Sequence, residues 1–144
     1  YHFRSVQALL QEAVLGILRE WLAAVRPVLE SAVTVEDGVR ALFDTLERYT
    51  GRDPASLAIM ECYLAATRDE RLRHGLVDLL GESRREVAAW LAGHGHDRPD
   101  DTASVLAAAI DGVVLHRALN PDLTTESVTS VLRPVLAPPP GGRV

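Results

Sequence analysis

The sequence predicts an all-α, single-domain bundle of about six helices, and three observations support this fold class. Apolar residues recur at the three- and four-residue spacing of helices that bury one face. No window has the strict apolar and polar alternation of a half-buried strand. The 144 residues suit one compact domain with its own core rather than two domains.

The first predicted helix starts at Ser5, a residue type that caps helix N-termini, and has a broad apolar face from Leu9 to Val25. Pro27 lacks an N–H group and disfavours helical geometry at Arg26. We therefore expect this helix to end or kink near Arg26, although the apolar spacing beyond it also fits a kinked continuation.

Capping residues delimit the next two helices. Thr34, with Asp37 three residues later, is a variant of the capping box, and Gly51 ends the helix that begins there. Asp53 followed by Pro54 combines an N-cap residue with a first-turn proline. The third helix that follows is almost uniformly apolar, which indicates packing on several sides.

The fourth and fifth helices are separated by a loop. Thr67 and Glu70 form a further capping signature, which places the start of the fourth helix there. Residues 93–101 are rich in Gly, His, Asp and Pro and are predicted to be a loop. A fifth helix from about Asp101 to Leu119 is apolar on most sides, so one surface packs on the core and another contacts something else.

The chain is expected to end in a sixth helix and a tail. Thr124 opens the helix, and the Pro- and Gly-rich residues 138–144 are predicted to be disordered. The predicted organisation is therefore residues 1–5, which precede the first helix, residues 6–137, which form the bundle, and the tail.

The composition excludes several functional classes. The formal net charge is −5 and the acidic residues are scattered, so no basic face is available to bind nucleic acid. The apolar runs are too short to cross a bilayer, and a single cysteine, Cys62, cannot form an internal disulfide. We expect a cytoplasmic protein without membrane contact, in which Cys62 is buried and unreactive.

No group of residues makes a convincing catalytic or metal-binding site. His94, His96 and Asp97 resemble a metal cluster, but their glycine-rich loop offers no fourth ligand. Cys62 lies in an apolar helix, which raises the pKa of a thiol instead of lowering it as nucleophilic catalysis requires. The sequence therefore predicts no enzyme activity, no metal and no cofactor.

Two carboxylates within apolar helices each have two explanations. Glu61 could meet a polar group of a ligand, or it could belong to a narrow solvated stripe that ends at Arg68. Asp111 is costly to bury unless it is hydrogen-bonded or exposed. A structural role for Asp111, with His116 or Arg117 nearby on the same helix, is the favoured interpretation.

Two segments resemble the tetracycline-repressor-type (TetR-type) transcriptional regulators. Tyr1-His2-Phe3-Arg4-Ser5, followed by Leu9-Leu10, is similar to the family's junction between the DNA-reading helix and the long helix after it. Asp111-Gly112-Val113, in a helix that ends at Asn120-Pro121, is similar to the Asp-Gly-Leu stretch of the family's penultimate helix. Val6 departs from the pattern, because the family commonly has a lysine there that can meet a DNA phosphate.

The resemblance implies that residues 1–5 are the remnant of a helix-turn-helix DNA-binding domain that lies upstream of residue 1. Operator DNA would then be bound through that missing N-terminal domain. Tyr1 and His2 would either contact the DNA backbone or pack in the seam between the two domains.

The resemblance also implies a homodimer and a ligand pocket. In the family, the last two helices form the dimer interface, and the first, second, fourth and fifth helices of this bundle surround the effector. The residues implied at the dimer interface are Val105, Ala109, Gly112, His116, Val128, Val131, Leu132 and Val135. The residues implied at the ligand are Trp21, Phe43, Leu46, Met60, Tyr63 and Leu80.

The predicted function is therefore the effector-binding and dimerisation part of a TetR-type regulator, a repressor that a small, largely apolar ligand releases from DNA. The alternative is a ligand-free helical module for dimerisation or protein interaction. An apolar cavity between the four helices favours the first prediction, and a filled interior favours the second.

Overall fold

The computed structural model describes residues 2–136, without the side chains of residues 2–7, 10 and 135, and this range is helical with short connections. No strand occurs in it. The elements are α1 (His2–Ala23), α2 (Val25–Glu30), α3 (Val35–Asp44), a 3₁₀ turn (Thr45–Arg48), α4 (Pro54–Ala66), α5 (Glu70–Gly93), α6 (Pro99–Arg117) and α7 (Thr125–Leu136). Since α1 and α2 are the two halves of the predicted first helix, the all-α prediction of about six helices is confirmed.

The first helix starts earlier than predicted and breaks close to the predicted position. Its backbone is already helical at His2, so Ser5 lies inside α1 and is not its N-cap. The break between α1 and α2 falls at Ala24, close to the end or kink predicted near Arg26. Pro27 is tolerated because it lies in the first turn of α2, where backbone N–H groups have no partner within the helix.

Short side chains cap several helices. Thr34 Oγ1 accepts the backbone N–H of Asp37 at 3.1 Å, as the sequence predicts. The predicted cap at Thr67 is wrong, because this residue ends α4. Asp69 caps α5 instead and accepts the backbone N–H of Leu72 at 3.0 Å. An acidic residue in this position also interacts favourably with the positive end of the helix dipole.

The buried residues form two apolar clusters. The main cluster joins the end of α1 to α2, α3, α5, α6 and α7, and it includes Phe43 and Leu91, both 0% exposed. The second cluster joins α1, α4 and α5 through residues such as Leu15 and Cys62. Burying each large apolar side chain stabilises the fold by about 1.5–3 kcal/mol relative to leaving it in water.

Two glycines allow close approach between elements. A Cβ at Gly38 of α3 would overlap the ring of Trp90 of α5, so glycine leaves the space that this ring occupies. Gly51 has a φ of +76°, in the left-handed region that favours glycine, and a Cβ would overlap the backbone of Ala118. The connection between the 3₁₀ turn and α4 is thereby held against the end of α6.

Asp53 organises that same connection. Its carboxylate accepts the backbone N–H groups of Ser56 and Thr50, at 2.9 and 2.8 Å, and the Ser56 hydroxyl at 2.6 Å. Burial alone would raise the pKa of Asp53, but these hydrogen bonds outweigh it and lower the pKa from 3.8 to about 2. The ionised carboxylate is therefore part of the folded structure.

Replacing Asp53 with alanine is expected to lower the free energy of unfolding by about 1–2 kcal/mol at neutral pH. Because the folded pKa lies below the unfolded pKa, this stabilisation is complete above about pH 4 and is lost as the pH falls to about 2. Urea unfolding at several pH values measures both effects. Asp53→Asn, which keeps a capping side chain, should restore stability without restoring the pH dependence; an unchanged pH slope in Asp53→Ala would contradict the assignment.

Candidate ligand-binding cavity

An apolar cavity of about 460 Å³ lies between α1, the 3₁₀ turn, α4 and α6, and we call it the first cavity. It lies where the two apolar clusters meet, since Leu18 belongs to one cluster and Leu46 to the other. Leu64 and Leu115, which are 61% and 52% exposed, border its opening. The lining residues are Leu18, Trp21, Leu46, Tyr49, Ile59, Met60, Tyr63, Leu64, Ile110, Asp111, Val114 and Leu115.

A second cavity of about 320 Å³ adjoins the first. Its walls come from α1, α2, α3, α5 and α6, and it includes Leu80 and the charged Arg84 of α5. Trp21, Ile110 and Asp111 line both cavities and therefore form the boundary between them. Three side chains, from α1 and α6, separate the two spaces.

A hydrogen bond between α4 and α6 is the main polar feature of the first cavity. The hydroxyl of Tyr63 donates to Oδ2 of Asp111 at 3.0 Å. Asp111 keeps an exposed surface, but its partial removal from water raises its pKa, and the bond from Tyr63 acts in the opposite direction. Burial and the nearby charge of Asp111 raise the pKa of Tyr63, so its phenol stays protonated and acts as the donor.

The sequence favoured a structural role for Asp111 with His116 or Arg117 nearby on the same helix. In the structure neither of these residues is its hydrogen-bond partner. Residues five and six positions apart point to different faces of an α-helix, so neither can reach it. Arg117 points instead into the space under the 3₁₀ turn. The partner of Asp111 comes from another helix, through tertiary packing.

Arg117 is a buried cation that holds one wall of the first cavity. Its side chain is 8% exposed, and its guanidinium group donates to the backbone carbonyls of Leu46 (2.7 Å), Tyr49 (3.3 Å) and Leu123 (3.1 Å). It also donates to the carboxylate of Glu47 at 3.3 Å. Because Leu46 and Tyr49 line the cavity, Arg117 connects this wall to the chain between α6 and α7.

Comparison with known proteins identifies the family. Residues 33–138, well over half of the chain, match a family model described as Tetracyclin repressor-like, C-terminal domain. The chain belongs to this family. The TetR-type resemblance of the sequence is thereby confirmed. No curated protein and no solved structure matches the chain significantly.

The TetR-like domain brings most of the predicted ligand residues together. Trp21, Leu46, Met60 and Tyr63 line the first cavity, and Leu80 lines the second. Phe43 is 0% exposed in the main core cluster and lines neither cavity.

The resemblance implied pocket walls from the predicted first, second, fourth and fifth helices, and the second cavity has walls from all four. The four helices that it named did not include α4, although two of the residues that it implied, Met60 and Tyr63, lie on α4. In the structure α4 supplies these two residues and also Ile59 and Leu64 to the first cavity. The uniformly apolar sequence of α4 was the available signal, because it indicated packing on more than one side. Asp111, also missed as a cavity residue, had been noted only as an unusual charge.

The residues predicted at the dimer interface fall into two groups. Val105, His116 and Val131 are exposed, and a Cβ on Gly112 would meet nothing within 4 Å. Ala109, Val128 and Leu132 are partly buried against the domain's own core, as is typical of helix positions that face inward. The side chain of Val135 lies outside the described residues, as do Tyr1, the side chain of His2 and the tail 138–144.

Other candidate sites have structural explanations. Glu61 is exposed and lines neither cavity, which agrees with a solvated stripe. His94 Nδ1 lies 2.9 Å from the carbonyl oxygen of Trp90, and His96 Nε2 lies 2.7 Å from the hydroxyl of Thr102. Among the described residues, no group of three or more His, Cys, Asp or Glu side chains is placed to hold a metal ion.

Two further predictions from the sequence concern Cys62 and helices that could cross a membrane. Cys62 is buried, as predicted, and burial raises the pKa of its thiol. Within residues 2–136, no helix has both the length and the hydropathy needed to cross a bilayer.

Proposed function

We propose that this TetR-like domain is the effector-binding and dimerisation part of a transcriptional regulator, and that a small, largely apolar molecule occupies the first cavity. The observation that carries this proposal is the cavity itself, whose twelve lining residues include one charged side chain, Asp111. Its volume of 460 Å³ lies within the range of about 300–1,000 Å³ that is usual for small-molecule sites. A filled interior would have favoured a ligand-free module.

The position of the first cavity suggests how a ligand acts. Leu18 and Trp21 place α1 in its wall, and α1 is the helix that the family resemblance connects to the DNA-reading domain. A ligand that binds one arrangement of α1 more tightly than another shifts the population of the two. In a repressor, that shift would weaken binding to the operator.

The proposed partner of α6 and α7 is a second copy of the chain. Exposed apolar side chains occur on both helices and on the connection between them: Val105, Leu115, Leu119 and Val131 are 51%, 52%, 86% and 74% exposed. The open space at Gly112 permits close approach of another helix. Symmetric pairing would remove this apolar surface from water on both copies.

A thermal-shift screen with small apolar compounds tests the ligand proposal. A compound that binds only the folded state raises the melting temperature, by an amount that grows with its concentration relative to Kd. Replacing Val114 with phenylalanine places a larger ring in the first cavity, so we expect this variant to lose at least about tenfold in affinity for any hit.

Val33→Phe is the matched control, because Val33 is 86% exposed and lies outside both cavities. It should bind every hit as tightly as the unmodified chain does. Equal binding by the Val114 variant would place the ligand elsewhere. A broad screen without any hit would favour the alternative, a ligand-free interaction module.

A further inference from the structure

We propose that the first cavity selects a lipophilic cation: an apolar body that carries an amine or quaternary ammonium group, with the cationic group beside Asp111 and Tyr63. This inference rests on the proposed function and specifies the chemical class of the effector. It is carried by the position of a single carboxylate and of aromatic rings within an otherwise apolar lining.

The carboxylate of Asp111 has capacity for a further partner. Tyr63 donates to Oδ2, and among the described residues no hydrogen bond to Oδ1 is present. Asp111 keeps an exposed surface, but the apolar lining beside it removes part of its hydration and raises the pKa of the carboxylate. An opposite charge or a donor at the carboxylate would offset that loss. A ligand cation at this position would supply the missing interaction, whereas an anion would add repulsion.

Aromatic rings reinforce the preference for a cation. Trp21 and Tyr63 line the same cavity as Asp111, and the electron-rich faces of such rings attract ammonium groups, Trp most strongly. Tyr49, also in the lining, already interacts with a cation, since the Arg48 guanidinium lies 5.6 Å from its ring centroid. The combination of a carboxylate with aromatic faces is the chemistry by which proteins recognise quaternary ammonium groups.

The other residues that line the first cavity explain why the body of the ligand should be apolar. Leucine, isoleucine, methionine and valine side chains make up most of the other walls of the first cavity, and no basic side chain is among them. The basic Arg84 lines the second cavity, beyond the boundary formed by Trp21, Ile110 and Asp111. The formal net charge of −5 also favours the approach of cations over anions.

Three probes with the same eight-carbon chain test the inference: octyltrimethylammonium, octanol and octanoate, each below its micelle-forming concentration. Isothermal titration calorimetry with the unmodified chain measures their affinities. We expect octyltrimethylammonium to bind at least about tenfold more tightly than octanol, and octanoate to bind most weakly. This comparison needs no variant and so does not depend on the folding of one.

Asp111→Asn keeps the shape of the side chain and removes its charge. It should bind octyltrimethylammonium about tenfold more weakly than the unmodified chain while its affinity for octanol stays within about twofold. Asp78→Asn is the matched control, because Asp78 is an exposed carboxylate of α5 that lines neither cavity, and its loss changes the net charge equally. This control should keep the full preference for the cation.

The outcomes separate the two proposals. If octanol and octyltrimethylammonium bind the unmodified chain equally, the selection of a cation is wrong, but the apolar ligand cavity stands. If Asp78→Asn loses the preference as much as Asp111→Asn does, general charge rather than Asp111 is responsible and the inference is overturned. If none of the three probes binds, both this inference and the proposed ligand site are contradicted.

Discussion

Replacement of Arg117 with leucine is expected to lower the free energy of unfolding by about 3–5 kcal/mol. The buried guanidinium group donates to three backbone carbonyls, of Leu46, Tyr49 and Leu123, and to the carboxylate of Glu47. Leucine would fill part of the volume but leave these acceptors without their donor. Because the carbonyls belong to two segments distant in sequence, residues 46–49 and Leu123, no single local rearrangement can replace the lost bonds.

Chemical unfolding followed by circular dichroism measures this effect, with two comparison variants. Arg117→Lys keeps the charge but not the planar fork of donors, so its free energy of unfolding should lie between those of the unmodified chain and Arg117→Leu. Arg52→Leu removes a hydrogen bond to the carbonyl of Ala118 from an exposed arginine in the same region, and it should cost about 1 kcal/mol or less. Equal losses for Arg52→Leu and Arg117→Leu would show that burial of Arg117 is unimportant.

If the proposed function holds, the hydrogen bonds of Arg117 connect the ligand cavity to the dimer helix α7. Arg117 joins the Leu46 and Tyr49 wall of the first cavity to Leu123, between α6 and the proposed dimer helix α7. Glu47 extends this connection, since its carboxylate accepts the hydroxyl of Thr125, the first residue of α7. Hydrogen bonds from Thr125 and the charge of Arg117 lower the pKa of Glu47.

The unmodified chain is expected to be a dimer at micromolar concentration, with twice the 15.7 kDa mass of one chain in light scattering. Combining Val105→Glu with Val131→Glu should make it a monomer. Each valine is exposed in the single chain but would be buried by a symmetric partner, where an unpaired carboxylate is strongly unfavourable. The dissociation constant should therefore rise on the order of a hundredfold or more.

Leu9→Glu is the control for this prediction. Leu9 is 74% exposed and lies on α1, outside the two helices of the proposed interface, so its replacement should leave the dimer intact. Circular dichroism should confirm that the double variant keeps its helical content, because both valines are already exposed in the single chain. A monomeric unmodified chain at micromolar concentration would overturn the dimerisation proposal.

Local sequence predicts where a helix starts when it contains a side chain that can accept the first free backbone N–H groups. Thr34 and Asp53 were predicted as caps because their side chains accept backbone N–H groups three residues later, and the structure contains both bonds. Thr67 carried a similar signal, yet Asp69 is the cap. Two acceptors lie close together there, and the backbone path decides which of them meets the first free N–H groups.

The residues of the candidate ligand site could not be predicted from local sequence pattern alone. Trp21 and Tyr63 were placed at a ligand through the family resemblance, and both line the first cavity. Phe43 had the same apolar, helical context but lies in the filled core. Periodicity identifies which face of a helix turns inward, but it does not distinguish a position at a packed contact from one at a gap between two clusters.

The sequence by itself determined an all-α bundle, its approximate helices and its membership of the TetR-like family, because apolar spacing, caps and family residues are encoded locally. Tertiary structure alone decided that Asp111 meets Tyr63, that Arg117 is buried beneath the 3₁₀ turn, and that a cavity remains between α1, α4 and α6. Each depends on the approach of helices far apart in the chain. Such distances follow from the packing of all side chains together, which no single stretch of sequence contains.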